Sequence, residues 1–189
     1  MEVMKTKLES GTLLVLGILL VSSFPIVAEN SEKDYTFRRT RWGMSRSEVI
    51  SREGMPDKVE RLGSGGYGRA LYFTDVEVAG IKAMIFFFFT ENKLTKSGYI
   101  FTETYNDKNN HIDNFKKVRS IVSDKYSPPE VDEKKWSDDL FKGYPDKYGF
   151  AVAKGHLSYK AIWRTPRSKI FLILRGKKNG SYSHDTLLQ

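Results

Sequence analysis

From Gly11 to Ala28 the chain runs 18 residues without a charge, richest in Leu, Val and Ile between Leu13 and Val21; no later apolar run is as long. A polar lead-in, Asn30 to Tyr35, separates it from the rest. The next pattern is a short helix. Ser45 stands as N-cap with Glu48 three residues on, the spacing of a capping box, and Met44 and Val49 are placed as a hydrophobic staple. Gly54 supplies a helix stop and Pro56 prevents resumption. Strand patterns follow over Arg69 to Val78, Ile81 to Thr90 and Leu94 to Tyr105. The middle one contains Phe86-Phe87-Phe88-Phe89, a run suited to a central strand buried on both faces.

A second helix is predicted over about Ile112 to Tyr126, with Phe115, Val118 and Ile121 or Val122 near helical spacing and Pro128-Pro129 as its stop. Val131 to Lys147 is polar, with Trp136, Phe141 and Tyr144 as pins. Strands are expected again at Phe150 to Lys154, Leu157 to Arg164 and Lys169 to Arg175. A weaker one near Ser181 to Leu187 follows the Lys-Lys-Asn-Gly hairpin signal at 177–180. The order helix, strands, helix, strands predicts an α+β fold of two helix-plus-antiparallel-meander halves, about 36–105 and 106–189. Aligning Gly54 with Ser127 also aligns Val49 with Val122 and Pro56 with Pro129, a faint internal repeat with a period of 73 residues.

The apolar opening has the layout of a secretory signal peptide. Lys5 and Lys7 form a weak basic start, and Ser22, Ser23 and Pro25 break the run before Ala28, the residue to cut after. The competing reading is an uncleaved N-terminal membrane anchor, since 18 uncharged residues can just span a bilayer. Cleavage leaves residues 29–189 as a single domain in the periplasm or medium. There is no cysteine, which removes disulfides, thiolate metal sites, a cysteine nucleophile and a lipid-attachment cysteine. Such an exported domain relies on its apolar core, which fits the 13% aromatic content.

Gly43, Val49, Gly54 and Pro56 stand at relative positions 0, 6, 11 and 13. This resembles the helix motif of the small outer-membrane-assembly lipoproteins of the SmpA/OmlA type, and is similar to the repeat of the secreted β-lactamase inhibitor proteins. The resemblance covers 14 of 189 residues. It implies a helix-plus-antiparallel-sheet fold and a style of work, the binding of other envelope or secreted proteins. The chain departs from the first group in lacking a lipidated cysteine and from the second in being unable to form disulfides. Its layout also looks like that of bacterial exported proteins with a Trp-Gly-Met-Ser opening, here Trp42 to Ser45, and a later helix end at Lys125 to Pro129.

Few motifs carry chemistry. Gly63 to Gly68 matches Gly-x-Gly-x-x-Gly, but a strand follows where a dinucleotide site needs a helix, and no kinase catalytic segment exists; a flexible hairpin is expected. His111, His156 and His184 are far apart with no metal-ligand spacing, and no nucleophile elbow occurs. No cofactor motif is found. Asp132-Glu133 and Asp138-Asp139 lie beside lysines in the polar segment and read as solvated charge; the enzymatic alternative, a small cell-envelope hydrolase, would use such carboxylates.

The formal charge is +8 and survives loss of the leader, which holds two Lys and two Glu. Arg38, Arg39 and Arg41 are the densest basic cluster near the mature N-terminus, a candidate contact for an anionic partner. An exported basic protein meets anionic lipid, wall polymers or acidic proteins before nucleic acid. The expectation is a non-enzymatic binding module, with another envelope or secreted protein as partner and the motif Gly43, Ser45, Glu48, Val49, Gly54 and Pro56 as scaffold.

Overall fold

The computed structural model of the chain describes residues 14–22, 37–62 and 68–176. The fold is α+β. Eight strands form an antiparallel sheet: β1 (Leu14–Ser22), β2 (Lys58–Leu62), β3 (Gly68–Val78), β4 (Ile81–Thr90), β5 (Lys93–Phe101), β6 (Val131–Trp136), β7 (Leu157–Arg164) and β8 (Ser168–Gly176). Their order across the sheet is β2-β3-β4-β5-β1-β8-β7-β6. The helices are α1 (Arg46–Glu53), α2 (Asn109–Tyr126) and α3 (Tyr148–Ala153), the last entered through a 3-10 turn at Pro145–Lys147. The segment read as a leader core therefore lies in the sheet, between a four-stranded meander (β2 to β5) and a three-stranded one (β6 to β8). No helix among the described residues is long and apolar enough to cross a membrane.

The helices share one face of the sheet, which follows from the period-2 alternation of the strands. On β4, Ile85, Phe87 and Phe89 pack with Leu71, Phe73 and Leu94 around Val49 of α1. At the other end of the same face Ile81, Ala83 and Phe101 join β7 and β8 in a cluster with Ile112, Phe115 and Val118 of α2 and the Ala-Val-Ala of α3. Both meanders thus rest on α2. The alternate β4 residues, Phe86 and Phe88, are buried on the opposite face with Ala70 and Tyr72, as a central strand requires.

The capped helix forms as its sequence dictates. Ser45 Oγ accepts from the Glu48 amide at 3.3 Å, and the Ser45 amide donates to Glu48 Oε2 at 2.8 Å. The hydrogen bonds to Ser45 hold the Glu48 carboxyl below its usual pKa. Gly54 ends the helix at φ 98°, ψ −174°, a region open to glycine. Ser127 ends α2 with a similar backbone, φ 69°, ψ 176°, at the position that the repeat alignment pairs with Gly54. Ser45→Ala is expected to lower stability by about 1 kcal/mol, seen as a lower urea midpoint. If stability held while partner binding vanished, Ser45 would instead be a contact residue.

Besides β1 and β2, three elements differ from the sequence reading. Phe150 to Lys154, read as a strand, lies in α3 and its cap: a four-residue apolar run does not declare its period, and Gly155 at φ 76° closes the helix. The polar segment after Pro129 contains strand β6, whose Asp, Glu and Lys residues suit a sheet edge. The strand read as Leu94 to Tyr105 ends at Phe101. The weaker strand expected near Ser181 to Leu187 and the histidine at His184 lie outside the described residues. The glycine motif links β2 to β3, which pair antiparallel with Leu62 opposite Gly68, so strands flank it on both sides.

Candidate functional site

The motif from Gly43 to Pro56 is tied into the scaffold. Gly43, at φ 84°, donates its amide to the Leu94 carbonyl at 2.9 Å, and the Leu94 amide returns to Met44 at 2.8 Å, so the entry to α1 docks on β5. Val49 is fully buried. Pro56 is half-buried beyond the stop at Gly54.

The basic cluster serves the same structure. Arg38 Nε binds Glu53 Oε2 at 2.8 Å, and the Glu53 side chain is only 3% exposed. The Arg39 amide takes the other carboxylate oxygen at 3.1 Å, while Arg39 and Arg52 each donate to the other's carbonyl. Burial acts to lower the Arg38 pKa, but hydrogen bonds to Glu53 and Tyr99 outweigh it and raise it. The Arg41 amide reaches Met44 Sδ at 3.4 Å. Arg38→Ala is therefore expected to reduce stability by about 2 kcal/mol, because a nearly buried carboxylate loses its cation; an unchanged melting temperature would contradict this. The sequence alone predicted no such cost, since residues 38 and 53 meet only once the turn at 37–40 folds back.

The candidate catalytic carboxylates are held apart. Asp132 pairs with Arg119 on α2, and Glu133 with Lys160 at 2.5 Å. Asp138 accepts from the Leu140 amide at 2.9 Å, and Asp139 pairs with Lys142 at 3.2 Å. Glu133 and Lys160 line a groove of about 190 Å³ on β6, β7 and β8 with Lys135 and Arg175. Among the described residues no three His, Cys, Asp or Glu side chains gather as a metal site.

The segment between β6 and β7 carries three of the exposed large apolar side chains of the described residues. Its base is closed by Ser137, whose amide donates to the His156 carbonyl at 2.8 Å and whose hydroxyl donates to the Gly155 carbonyl at 2.7 Å. Inside, Phe141 sets its ring edge-on to Phe150 at 5.4 Å and lies 5.6 Å from the His156 ring. The Tyr148 hydroxyl donates to the Lys142 carbonyl at 3.0 Å, and the Tyr148 ring meets Trp136 edge-on at 5.2 Å. Trp136 and Phe141 are thus pins, as expected, and Tyr148 is a further one.

Tyr144 is not a pin. It stands 55% exposed, with Leu140 at 65% and Phe150 at 45%. Lys147 Nζ lies 5.1 Å from the Tyr144 ring centre, and Lys154 Nζ lies 5.3 Å from that of Phe150. The braced loop and α3 therefore display three large apolar side chains with lysines over two of them. Sequence reading singled out Tyr144 but missed Leu140, and it placed Phe150 in a strand. A signal was available in Pro145 and Gly155, which bracket a short helical turn.

No family model, curated protein or solved structure matches the chain.

Proposed function

We propose that this protein is an exported, non-enzymatic binding module of the cell envelope, and that it grips another exported protein through Leu140, Tyr144 and Phe150. The observation that carries the reading is the exposure of these side chains on a segment otherwise fixed by hydrogen bonds and ring contacts. Large side chains on a pre-organised surface bind with little ordering cost, and aromatics dominate interface hot spots. Lysines at the rim favour a partner with acidic groups around an apolar centre. The signal-like opening and the resemblance of the Gly43 to Pro56 motif to outer-membrane-assembly lipoproteins support the same reading.

The test is a double variant, Leu140→Ser and Tyr144→Ser, which leaves the Phe141–Phe150 ring contact in place. Its melting temperature should stay within a few degrees of the parent, because both side chains are exposed. A partner captured from envelope extract in a salt-resistant way should bind it at least tenfold more weakly. Equal binding by parent and variant would reject the patch. Export is tested separately by intact mass: protein from the periplasm or medium should lack residues 1 to 28, whereas Met1 retained in a membrane pellet would favour an anchor.

A further inference from the structure

The place of β1 in the sheet is a slot between two preformed edges. All nine residues of β1 pair antiparallel with β8, from Leu14 opposite Gly176 to Ser22 opposite Ser168. Six of them also pair antiparallel with β5, from Leu16 opposite Phe101 to Val21 opposite Lys96. Without this strand β5 and β8 would stand roughly 10 Å apart, each with an unpaired row of amides and carbonyls. Two observations point to a second occupant.

First, the two halves are unequal. Among the described residues four strands, β2 to β5, follow α1 and three, β6, β7 and β8, follow α2, and the fourth place beside β8 is held by a segment from the other end of the chain. Second, the chain leaves β8 at Gly176 and reads Lys177-Lys178-Asn179-Gly180, a hairpin turn signal, followed by the β-type stretch Ser181 to Leu187. A hairpin from β8 must lay its second strand antiparallel on the edge that β7 leaves open. That edge is the one β1 occupies, and the direction is the same. The nine residues after Gly180 match the nine of β1 in length.

We propose that the slot between β5 and β8 is the binding site of the chain's own C-terminal segment Ser181 to Leu187, and that Leu14–Ser22 holds it only while the leader is attached. The two segments compete for one strand position. Loss of the leader completes the second half as helix plus four-stranded meander, in sheet order β2-β3-β4-β5-tail-β8-β7-β6. Only the timing of the exchange rests on the export reading; the competition itself does not.

The test is hydrogen exchange with peptide-level mass spectrometry on the full chain and two variants. Ile18→Pro removes an amide from the middle of β1 and should expel it. In that variant, exchange over residues 181–187 should slow by about 100-fold relative to the unsubstituted chain, while β5 and β8 stay protected. Adding Thr186→Pro should reverse both effects, so that the tail and the facing edges of β5 and β8 exchange quickly. Protection of 181–187 already in the unsubstituted chain, with 14–22 exchanging freely, supports the same assignment. The proposal is overturned if Ile18→Pro leaves the tail unprotected, whether β5 and β8 then close on each other, pair with a second copy seen by sedimentation, or stand open. Global loss of protection, α2 included, would equally overturn it by making β1 an integral strand. Retention of residues 1 to 28 in cells would sink the export reading without altering these exchange results.

Discussion

Gly149→Ala is expected to destabilise the protein by on the order of 3 kcal/mol, a fall in melting temperature of about 10 °C. The cause is space, not backbone freedom. A Cβ on Gly149 would lie 2.2 Å from the Lys108 carbonyl carbon, 2.4 Å from its oxygen and 2.4 Å from the Asn109 nitrogen. All three are backbone atoms at the start of α2, so no rotamer change can relieve the contact; α3 must move away from α2. That movement would also break the clamp made by Asn109, which accepts from the Gly149 amide through Oδ1 and donates to the Asp146 carbonyl through Nδ2, both at 2.7 Å. Asn109→Ala should therefore cost less alone, and the double variant less than the sum, because both changes act on one contact. Phe150 follows Gly149 directly, so Gly149→Ala should weaken partner binding as well as lower the melting temperature. A thermal melt unchanged by the substitution would mean that α3 does not sit on α2 as described.

This contact marks where sequence reading stops. The capped helix was fully legible because its capping interactions are local: Ser45, Glu48, Val49 and Gly54 act within ten residues. The central Phe run was legible because four successive large apolar residues suit a strand covered on both faces. Helix α3 was not, since the apolar run from Phe150 to Ala153 is too short to declare its period, and only Pro145 and Gly155 at its ends point to a helical turn. Strand β6 was hidden by its charges, which pair across to Arg119 and Lys160 only in the folded sheet. The exposed patch depends on which aromatics of residues 136–150 face inward, and that is decided by Phe141 lodging between Phe150 and His156. The place of Leu14–Ser22 is a matter of which edges are open, and composition says nothing of that.

Acid should weaken the fold through His111, and His111→Phe should remove that part of the effect. His111 lies in the first turn of α2, 5% exposed, with its ring edge-on to Tyr105 at 4.9 Å. Burial, aided by the nearby Lys108 charge, pushes its pKa down to about 4. The folded protein thus keeps His111 neutral while the unfolded chain, titrating near 6.5, takes up a proton between those values. The folded pKa is the lower one, so the stabilising contribution is complete above about pH 6.5 and is lost as the pH falls toward 4. The loss amounts to about 2 kcal/mol at pH 5 and about 3 kcal/mol once both states are protonated. Lys108 cannot move away freely, since its Nζ donates to the Tyr105 carbonyl at 2.6 Å beside the same ring. The carboxyls of Asp57 and Glu48 are held low by hydrogen bonds to Thr74 and Ser45 and also lose stabilisation in acid. They do so equally in parent and variant, so the difference between the two isolates His111. Phenylalanine keeps a ring against Tyr105 and cannot be protonated. Urea midpoints at pH 7 and pH 5 should therefore separate for the parent by about 2 kcal/mol more than for His111→Phe. Parallel pH dependences would show that His111 is not withdrawn from water, and the packing of α2's first turn against Tyr105 would have to be redrawn.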